Sequence, residues 1–561
     1  MPKNSGSFGW ESCFMPRPAP RSLPDPRSDP ITAHERLLAA LARRLAADTG
    51  ADPVVVRTHI SSLVLAGDTV IKLKRPVRLP FLDFSTTARR RHFCEEELRL
   101  NRRTAPDLYR DVVPLTGTPE APRLGGDGPV LDWALRMRRF DPAGEFAARA
   151  RAGVLDAADI DALAAHVAHF HAALPAVPPA QQPRSGPREA AAAALDAIGA
   201  HPARPGDVDT AAVAATRTRL AAAFAAQAER LARRAAAGWV REGHGDLHLG
   251  NIVRWQGQVM AFDALEFDAS LRTIDVVADV AFVFMDLLAH GLPGLAWRFI
   301  GGWAEQTGDV DGLALLRPLA AYRALVRAQV ALLCGNPAAF ARYWPLAVQL
   351  AAPPPTPRLV LVMGLSGAGK STVAAWLAEA LGAVRIRSDV ERKRLAGLAP
   401  TARVAPGSDP AAQLYGTEMT QRTYGRLNQL AGDLLAAGVS VVVDAAALRQ
   451  AEREALRATA GRAHAAFDLV DCQAPAAQMR SRIAERAVAG TDPSDATAAV
   501  LERQTAFAEP LPPGWDAITH RLVNDADLAA LQSRVQALAE VLAWTLKDSG
   551  KQSKLSPFDA W

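Results

Sequence analysis

Gly364-Leu365-Ser366-Gly367-Ala368-Gly369-Lys370-Ser371 constrains this chain more than any other segment. It fits the pattern G-x-x-x-x-G-K-[ST] without a mismatch, and its flanks suit the fold that the pattern requires. Leu359 to Met363 reads as a short buried strand, and Thr372 to Leu381 is apolar at helical spacing. A glycine-rich turn between strand and helix aims backbone N–H groups into one concavity, and the helix N-terminus adds partial positive charge there. In this pattern the lysine reaches the β- and γ-phosphates and the serine ligates Mg²⁺. Gly364, Ser366, Gly367, Ala368, Gly369, Lys370, Ser371 and Thr372 are therefore the expected ATP contacts, with Ser371 also on the metal.

A second phosphate-handling pattern lies upstream. His244-Gly-Asp246-Leu-His-Leu-Gly-Asn251 has the spacing H-x-D-x-x-x-x-N, and Asp263 follows the apolar stretch Val259 to Phe262. In a site of this kind the first aspartate takes the proton of the acceptor hydroxyl, while the asparagine and the later aspartate hold metal ions. H-G-D alone is a common loop sequence. The added register of Asn251 and Asp263 makes it specific.

The chain has 561 residues, enough for several domains, with 49% hydrophobic and 22% charged residues. Its net charge of +5 is a mild excess that argues for no nucleic-acid or membrane partner. Cys13, Cys94, Cys334 and Cys472 form no C-x-x-C pair, which argues against a disulfide framework or zinc site and suits the cytoplasm. The best candidate span, Val276 to Leu288, is interrupted by Asp279 and Asp286, so no membrane crossing is expected.

Residues 1–30, rich in Pro, Ser and Arg, are expected to be a disordered tail. A first domain is expected over 31–350, with strands at Val54–Val56, Leu63–Leu65 and Val70–Leu73, a turn at Ala66-Gly67-Asp68, a helix near 86–103, and a strand over 129–140. From about 142 to 240 the chain reads as mainly helical. Ala351-Ala-Pro-Pro-Pro-Thr-Pro357 is a stiff linker. Strand–helix alternation restarts at 358 and runs to 546, and 547–561 is expected to be a flexible tail.

The first domain resembles the aminoglycoside phosphotransferase and choline kinase group, relatives of the protein kinases. The resemblance rests on His244-Gly-Asp246 through Asn251, on Asp263, and on the strand hairpin followed by a helix. It implies Asp246 as catalytic base and Asn251 and Asp263 as metal ligands. Lys72 resembles the lysine that holds the α- and β-phosphates, with Lys74, on the same strand face, as the alternative. Such a lysine needs a helix glutamate. Periodicity places Glu97 near the centre of the apolar face formed by Phe93, Cys94, Leu98 and Leu100, where an unpaired charge is costly. The family's spacing to a following Arg-Leu selects Glu96 instead. Asp279 resembles the aspartate that braces the catalytic loop. No strict G-x-G-x-x-G loop is present.

Downstream of the glycine-rich turn, Arg385-Ile386-Arg387-Ser388-Asp389-Val-Glu-Arg392 ends a second strand. This S-D-x-x-R arrangement resembles small P-loop kinases such as the polynucleotide kinase, gluconate kinase and zeta-toxin-like groups. Asp389 is the candidate base, and Arg392 the candidate for the acceptor's charge. Val439-Ser-Val-Val-Val443-Asp444 reads as a buried strand ending in an acid suited to the Mg²⁺ shell. Arg482 and Arg486 share a helix face and are candidates for a lid over the transferring phosphate.

The tandem order, with His92-Phe-Cys-Glu-Glu-Glu-Leu-Arg-Leu-Asn101-Arg-Arg and Arg136-Met-Arg-Arg-Phe140, resembles a bacterial family of bifunctional aminoglycoside phosphotransferase-like and AAA-type ATP-binding proteins. That resemblance implies a protein-kinase-like fold of α+β type followed by a P-loop nucleotide kinase-like parallel α/β domain. It also implies ATP and Mg²⁺ as ligands and transfer to a hydroxyl of a small-molecule or nucleotide-like acceptor. The competing reading is a regulatory ATPase in which one unit is a nucleotide sensor.

Overall fold

Alternating apolar residues build the first sheet. In the computed structural model, strands Val54–Arg57, Ser61–Ala66, Thr69–Lys74, Val130–Arg138, Tyr109–Thr118 and Ala121–Leu124 lie side by side in that order, every neighbouring pair antiparallel. Successive side chains point to opposite faces. Val64, Ile71 and Leu73 therefore pack with Leu37, Leu38 and Leu41 of the helix Pro30–Thr49. Leu63, Leu65, Val70 and Leu135 face the other way, toward Val253, Met260 and Phe262. Lys72 and Lys74 share that second face with Val70, which aims both lysines at the segment ending in Asp263. The expected strands and the helix, observed as Thr87–Asn101, are present; the strand Tyr109–Thr118 was not anticipated.

The structure describes residues 29–548 apart from 51, 80–81, 206–207, 405–407 and 490–492. The expected tails 1–30 and 547–561 thus lie outside the described residues except at their inner edges, where Asp29 caps the helix at Pro30 and the helix Leu528–Asp548 ends. Among the described residues no helix is long and apolar enough to cross a membrane. Cys94 and Cys472 are free, buried thiols. Cys13 lies outside the described residues.

The second sheet is parallel. Its strands are ordered Ala383–Arg387, Ser440–Asp444, Arg358–Met363, Ala466–Gln473, Thr519–Val523. The first strand of this sheet in chain order, Arg358–Met363, is thus central, with the strand order reversing beside it. In open sheets of this kind ligands bind at the carboxyl ends of the strands at that reversal. Val360, Val362, Val442 and Val470 are buried on the central strands and pack under the helix Lys370–Leu381 through Val373 and Leu377.

Two compact units result. One comprises Met1–His290 and Leu316–Ala352; the other comprises Gly291–Leu315 and Pro353–Trp561. The division at 352/353 falls in the proline linker. The segment Gly291–Leu315 groups with the second unit although it precedes the linker by sequence, which proline content alone gave no means to anticipate.

Candidate functional site

In the second unit the glycine-rich turn connects the central strand to its helix, and three of its glycines adopt positive φ: Gly364 (139°), Gly367 (85°) and Gly369 (93°). A Cβ would stand 2.3 Å from the Cys472 carbonyl oxygen at Gly364 and 2.5 Å from the Met479 carbonyl oxygen at Gly367. The loop is therefore built of bare backbone. Lys370 Nζ donates to the Leu365 carbonyl at 2.9 Å, folding the lysine back across the loop. Burial lowers its pKa, opposed by the nearby charges of Asp444 and Asp389.

The expected partners converge here. Asp444 ends the neighbouring strand opposite Val362 and Arg387 and is buried. Asp389 lies in the first turn of the helix Ser388–Leu395. Burial raises its carboxyl above the ordinary range, and Arg392, Arg387 and Lys370 oppose the rise. Arg482 Nη1 lies 3.4 Å from the Gly367 carbonyl, and its Nη2 is 3.1 Å from Asn524 Oδ1. Arg486 follows one turn later, its Nε donating to the Arg482 carbonyl at 3.3 Å. Arg392 is buried, with Nη1 donating to the Leu414 carbonyl at 3.1 Å and to Thr420 Oγ1 at 3.2 Å.

Three partners of the turn were missed from sequence. The Ser366 N–H donates to Gln504 Oε1 at 2.9 Å, Asn524 Nδ2 donates to the Ala368 carbonyl at 2.9 Å, and Arg387 Nη2 reaches Ser371 Oγ at 3.4 Å. Arg387 had a signal, since it sits beside Ser388-Asp389 at a strand end. Gln504 and Asn524 had none.

In the first unit, Lys72 Nζ donates to Glu97 Oε1 and to Asp263 Oδ1, each at 2.7 Å. Lys74 Nζ donates to Glu97 Oε2 at 2.5 Å and is also paired with Glu266. One glutamate thus holds both candidate lysines. Glu97 is fully buried, whereas Glu96 pairs with Arg99 and Arg272 nearer the surface. Burial alone would raise the Glu97 pKa, but Lys72 and Lys74 outweigh it and hold the carboxyl down at about 2. Burial likewise opposes the charged form of Lys72, yet Asp263 and Glu97 lift its pKa well above the ordinary value.

Asp263 has φ of 61°, a left-handed conformation uncommon for a residue with a side chain. It is held by its N–H donating to the Tyr109 hydroxyl at 3.1 Å, while the next N–H, of Ala264, donates to Asn101 Oδ1 at 2.8 Å. Asn251 Nδ2 donates to the Asp246 carbonyl at 2.9 Å and to Asp246 Oδ2 at 3.1 Å. This leaves the amide oxygen of Asn251 as its acceptor end. Burial would raise the Asp246 pKa, but His248, Arg327 and His244 carry it below the ordinary range.

The loop is braced from one helix, Val277–Ala289. Asp279 accepts from the His244 N–H at 2.7 Å and the Gly245 N–H at 2.9 Å. Asp286, one face of the helix further on, accepts from the Leu249 N–H at 2.9 Å and the Tyr343 hydroxyl at 2.7 Å. Tyr109 and Asn101 were not singled out from sequence as parts of this site, because each acts across a long stretch of chain; Asp286 shares Asp279's helix face, but only Asp279 was read as the brace.

Both sites suit Mg²⁺ in their donor chemistry. Ser371 and Asp444 in one unit, and Asn251 and Asp263 in the other, offer oxygen atoms, the ligands this cation prefers. Among the described residues no cluster of three or more His, Cys, Asp or Glu side chains could hold a metal. Mg²⁺ bound through phosphates needs only one or two protein carboxylates.

An AAA domain model matches residues 359–511, so the second unit carries a P-loop domain of the nucleotide-binding kind. The uncharacterized protein Rv2004c of Mycobacterium tuberculosis is 31% identical over 466 residues, spanning 81% of this chain and 90% of that protein. The uncharacterized protein Mb2027c of Mycobacterium bovis matches to the same extent. This chain belongs to their family. Among solved structures, a gluconokinase from Sinorhizobium meliloti is 23% identical, covering 35% of this chain and 99% of that one at a TM-score of 0.26. The Mycobacterium tuberculosis APS kinase in complex with AMPPNP and APS is 23% identical, covering 34% and 99% at a TM-score of 0.24.

Proposed function

We propose that this protein is an ATP-dependent phosphotransferase with two nucleotide-binding units, each moving the γ-phosphoryl group of ATP to a hydroxyl of a small-molecule or nucleotide-like acceptor. The observation that carries the two-unit reading is Lys72 bridging Glu97 and Asp263 at 2.7 Å each. A buried lysine between a helix glutamate and a metal-binding aspartate is the arrangement a protein-kinase-like site needs for its nucleotide phosphates.

In the first unit, which we read as protein-kinase-like, Asp246 takes the acceptor's proton and Asn251 and Asp263 hold the metal. In the second, the loop amides and Lys370 bind phosphate, Ser371 and Asp444 hold the metal, and Asp389 takes the acceptor's proton. The raised pKa of Asp389 makes it a better proton acceptor when ionised. Arg482, against the loop, and Arg486 would neutralise charge on the transferring group. Arg392 shapes the acceptor side through its fixed contacts. Bound Mg²⁺ would supply charge neutralisation at the phosphates in both units. The excess of basic residues offers no special affinity for a polycationic aminoglycoside.

The test is transfer of labelled phosphate from ATP to a panel of sugars, nucleosides and polynucleotide 5′-ends by the full-length chain. Asp246→Ala and Lys370→Ala, singly and together, assign each product to a unit. Transfer unaffected by either substitution would sink the proposal. A unit that binds ATP but supports no transfer would instead be the nucleotide sensor.

A further inference from the structure

Gly291–Leu315 belongs to the second compact unit, although the chain runs through it well before the linker. Its helix Pro293–Thr307 lies on the helix that follows the P-loop, with Arg298 Nη1 donating to Glu379 Oε1 at 2.8 Å. Near the end of that helix is Glu305. Its Oε2 accepts from Arg385 Nη2 and its Oε1 from Arg387 Nη1, both at 2.8 Å. Arg385 and Arg387 are two residues apart on one strand, so their side chains share a face and one carboxylate can meet both. Burial opposes ionisation of Glu305, but the two arginines outweigh it and hold its pKa below the ordinary range.

The other ends of the same two guanidinium groups rest on the P-loop site. Arg385 Nη1 donates to the Ser371 carbonyl at 3.1 Å. Arg387 Nη2 lies 3.4 Å from Ser371 Oγ, and Arg387 Nε lies 3.4 Å from Asp444 Oδ2. Arg387 thus stands against the two side chains that offer oxygen to a divalent ion, and Arg385 against the backbone of one of them. The arginines' short bonds go to Glu305, and their long ones go to the site. Without Glu305, Arg387 would lose a carboxylate partner at 2.8 Å, and Asp444, 3.4 Å from its Nε, is placed to become the bidentate partner that a guanidinium prefers.

We propose that Glu305 is a positioning residue of the P-loop site: it draws Arg385 and Arg387 back so that Ser371 and Asp444 stay open to a divalent cation. The proposal rests on the P-loop reading above. It makes the segment 291–315 a working part of the second unit.

The test uses the full-length chain and binding of a fluorescent ATP analogue across a Mg²⁺ titration, the second unit's share being the binding that Lys370→Ala removes, with thermal melting in parallel. Glu305→Gln is expected to raise the Mg²⁺ concentration for half-maximal nucleotide binding by about 10- to 100-fold, the range typical of residues that orient metal ligands. Glu305→Asp should recover most of that loss. Arg298→Ala, which removes an anchor of the same helix away from Ser371 and Asp444, should lower the melting temperature and leave the Mg²⁺ midpoint in place. A wild-type midpoint in Glu305→Gln overturns the proposal, whatever its melting temperature. Should Glu305→Gln fail to fold, Glu305→Ala decides: a raised midpoint supports the proposal and a wild-type midpoint overturns it. A Lys370→Ala variant that binds as much nucleotide as wild type, so that the second unit adds no site to that of the first, would overturn the P-loop reading itself, a separate result, and the proposal with it.

Discussion

Lys72 and Lys370 are both expected to meet ATP phosphates, and they are held in opposite ways. Lys72 is clamped by two carboxylates, Glu97 and Asp263, and its pKa is driven up. Lys370 bonds to a backbone carbonyl of its own loop, and burial drives its pKa down. One site is made of side chains brought from a strand, a helix and a distant loop. The other is made of backbone within a single turn. A side-chain site depends on every member for its stability, because removing one partner strands a buried charge. A backbone site tolerates loss of its lysine structurally while losing function.

The largest test of this contrast is catalytic. Asp246→Ala should lower transfer by the first unit by about 10² to 10⁴ while largely sparing ATP binding, because a base acts on the acceptor's proton and not on the nucleotide. Labelled-phosphate transfer and calorimetric ATP binding measure the two effects separately. Wild-type turnover in this variant would remove Asp246 from the reaction.

Stability sharpens the comparison next. Glu97→Ala should destabilise the first unit by about 3–5 kcal/mol, because it leaves Lys72 and Lys74 buried with one carboxylate fewer. Lys370→Ala should cost the second unit far less stability, since it removes a buried charge that no carboxylate bonds directly. Denaturant melts of the two variants check this, and equal losses would break the contrast. The Glu97 effect has a pH signature. Its carboxyl is held down at about 2 from an ordinary 4.5. The stabilisation it brings is therefore present above pH 4.5 and is lost as pH falls toward 2, where the unfolded chain binds the proton first.

Within the second unit, Lys370→Ala and Asp389→Asn should separate binding from transfer. The first should lose nucleotide affinity, and the second should keep it and lose transfer by roughly 10² or more. If Asp389→Asn weakened ATP binding as strongly as Lys370→Ala, Asp389 would belong to the metal shell.

The smallest effect concerns Glu145, which is buried with neither carboxylate oxygen hydrogen-bonded among the described residues. Burial pushes its pKa up to about 7 against the pull of Arg151. A carboxyl raised in the folded state weakens the fold as pH rises from its unfolded value, 4.5, through about 7. Glu145→Gln should therefore raise stability at pH 8 by about 1–3 kcal/mol, the cost of leaving a buried polar group unsatisfied, and change little at pH 5. Equal melting temperatures of variant and wild type at pH 8 would show that the charge is relieved in solution.

How much of each site was legible follows from the same contrast. The P-loop, Asp444 and Asp389 could be read because a strand, a turn and a helix in sequence already define where their atoms go. Helical period favoured Glu97 and the family's spacing favoured Glu96, so the choice stayed open in the sequence; packing puts Glu97, with Cys94 and Leu100, on the buried face. The division between Lys72 and Lys74 could not be read, and the reason is physical: strand period puts both on one face, and Glu97 has two oxygens and holds both.

The sequence by itself determined the elements that local chemistry dictates: the glycine turn before its helix, the alternating strands of the first sheet, and the spacing of Asp246 from Asn251. Tertiary structure alone decided which distant side chains complete each site. Tyr109 under Asp263, Asp286 behind Leu249, Gln504 on Ser366 and Glu305 on Arg385 and Arg387 are separated from their partners by tens of residues or more. Periodicity reports which face a residue takes on its own element, but not which element packs against that face. The helix Pro293–Thr307 carries an ordinary amphipathic pattern, and only packing assigns it to the second unit rather than to the residues on either side of it.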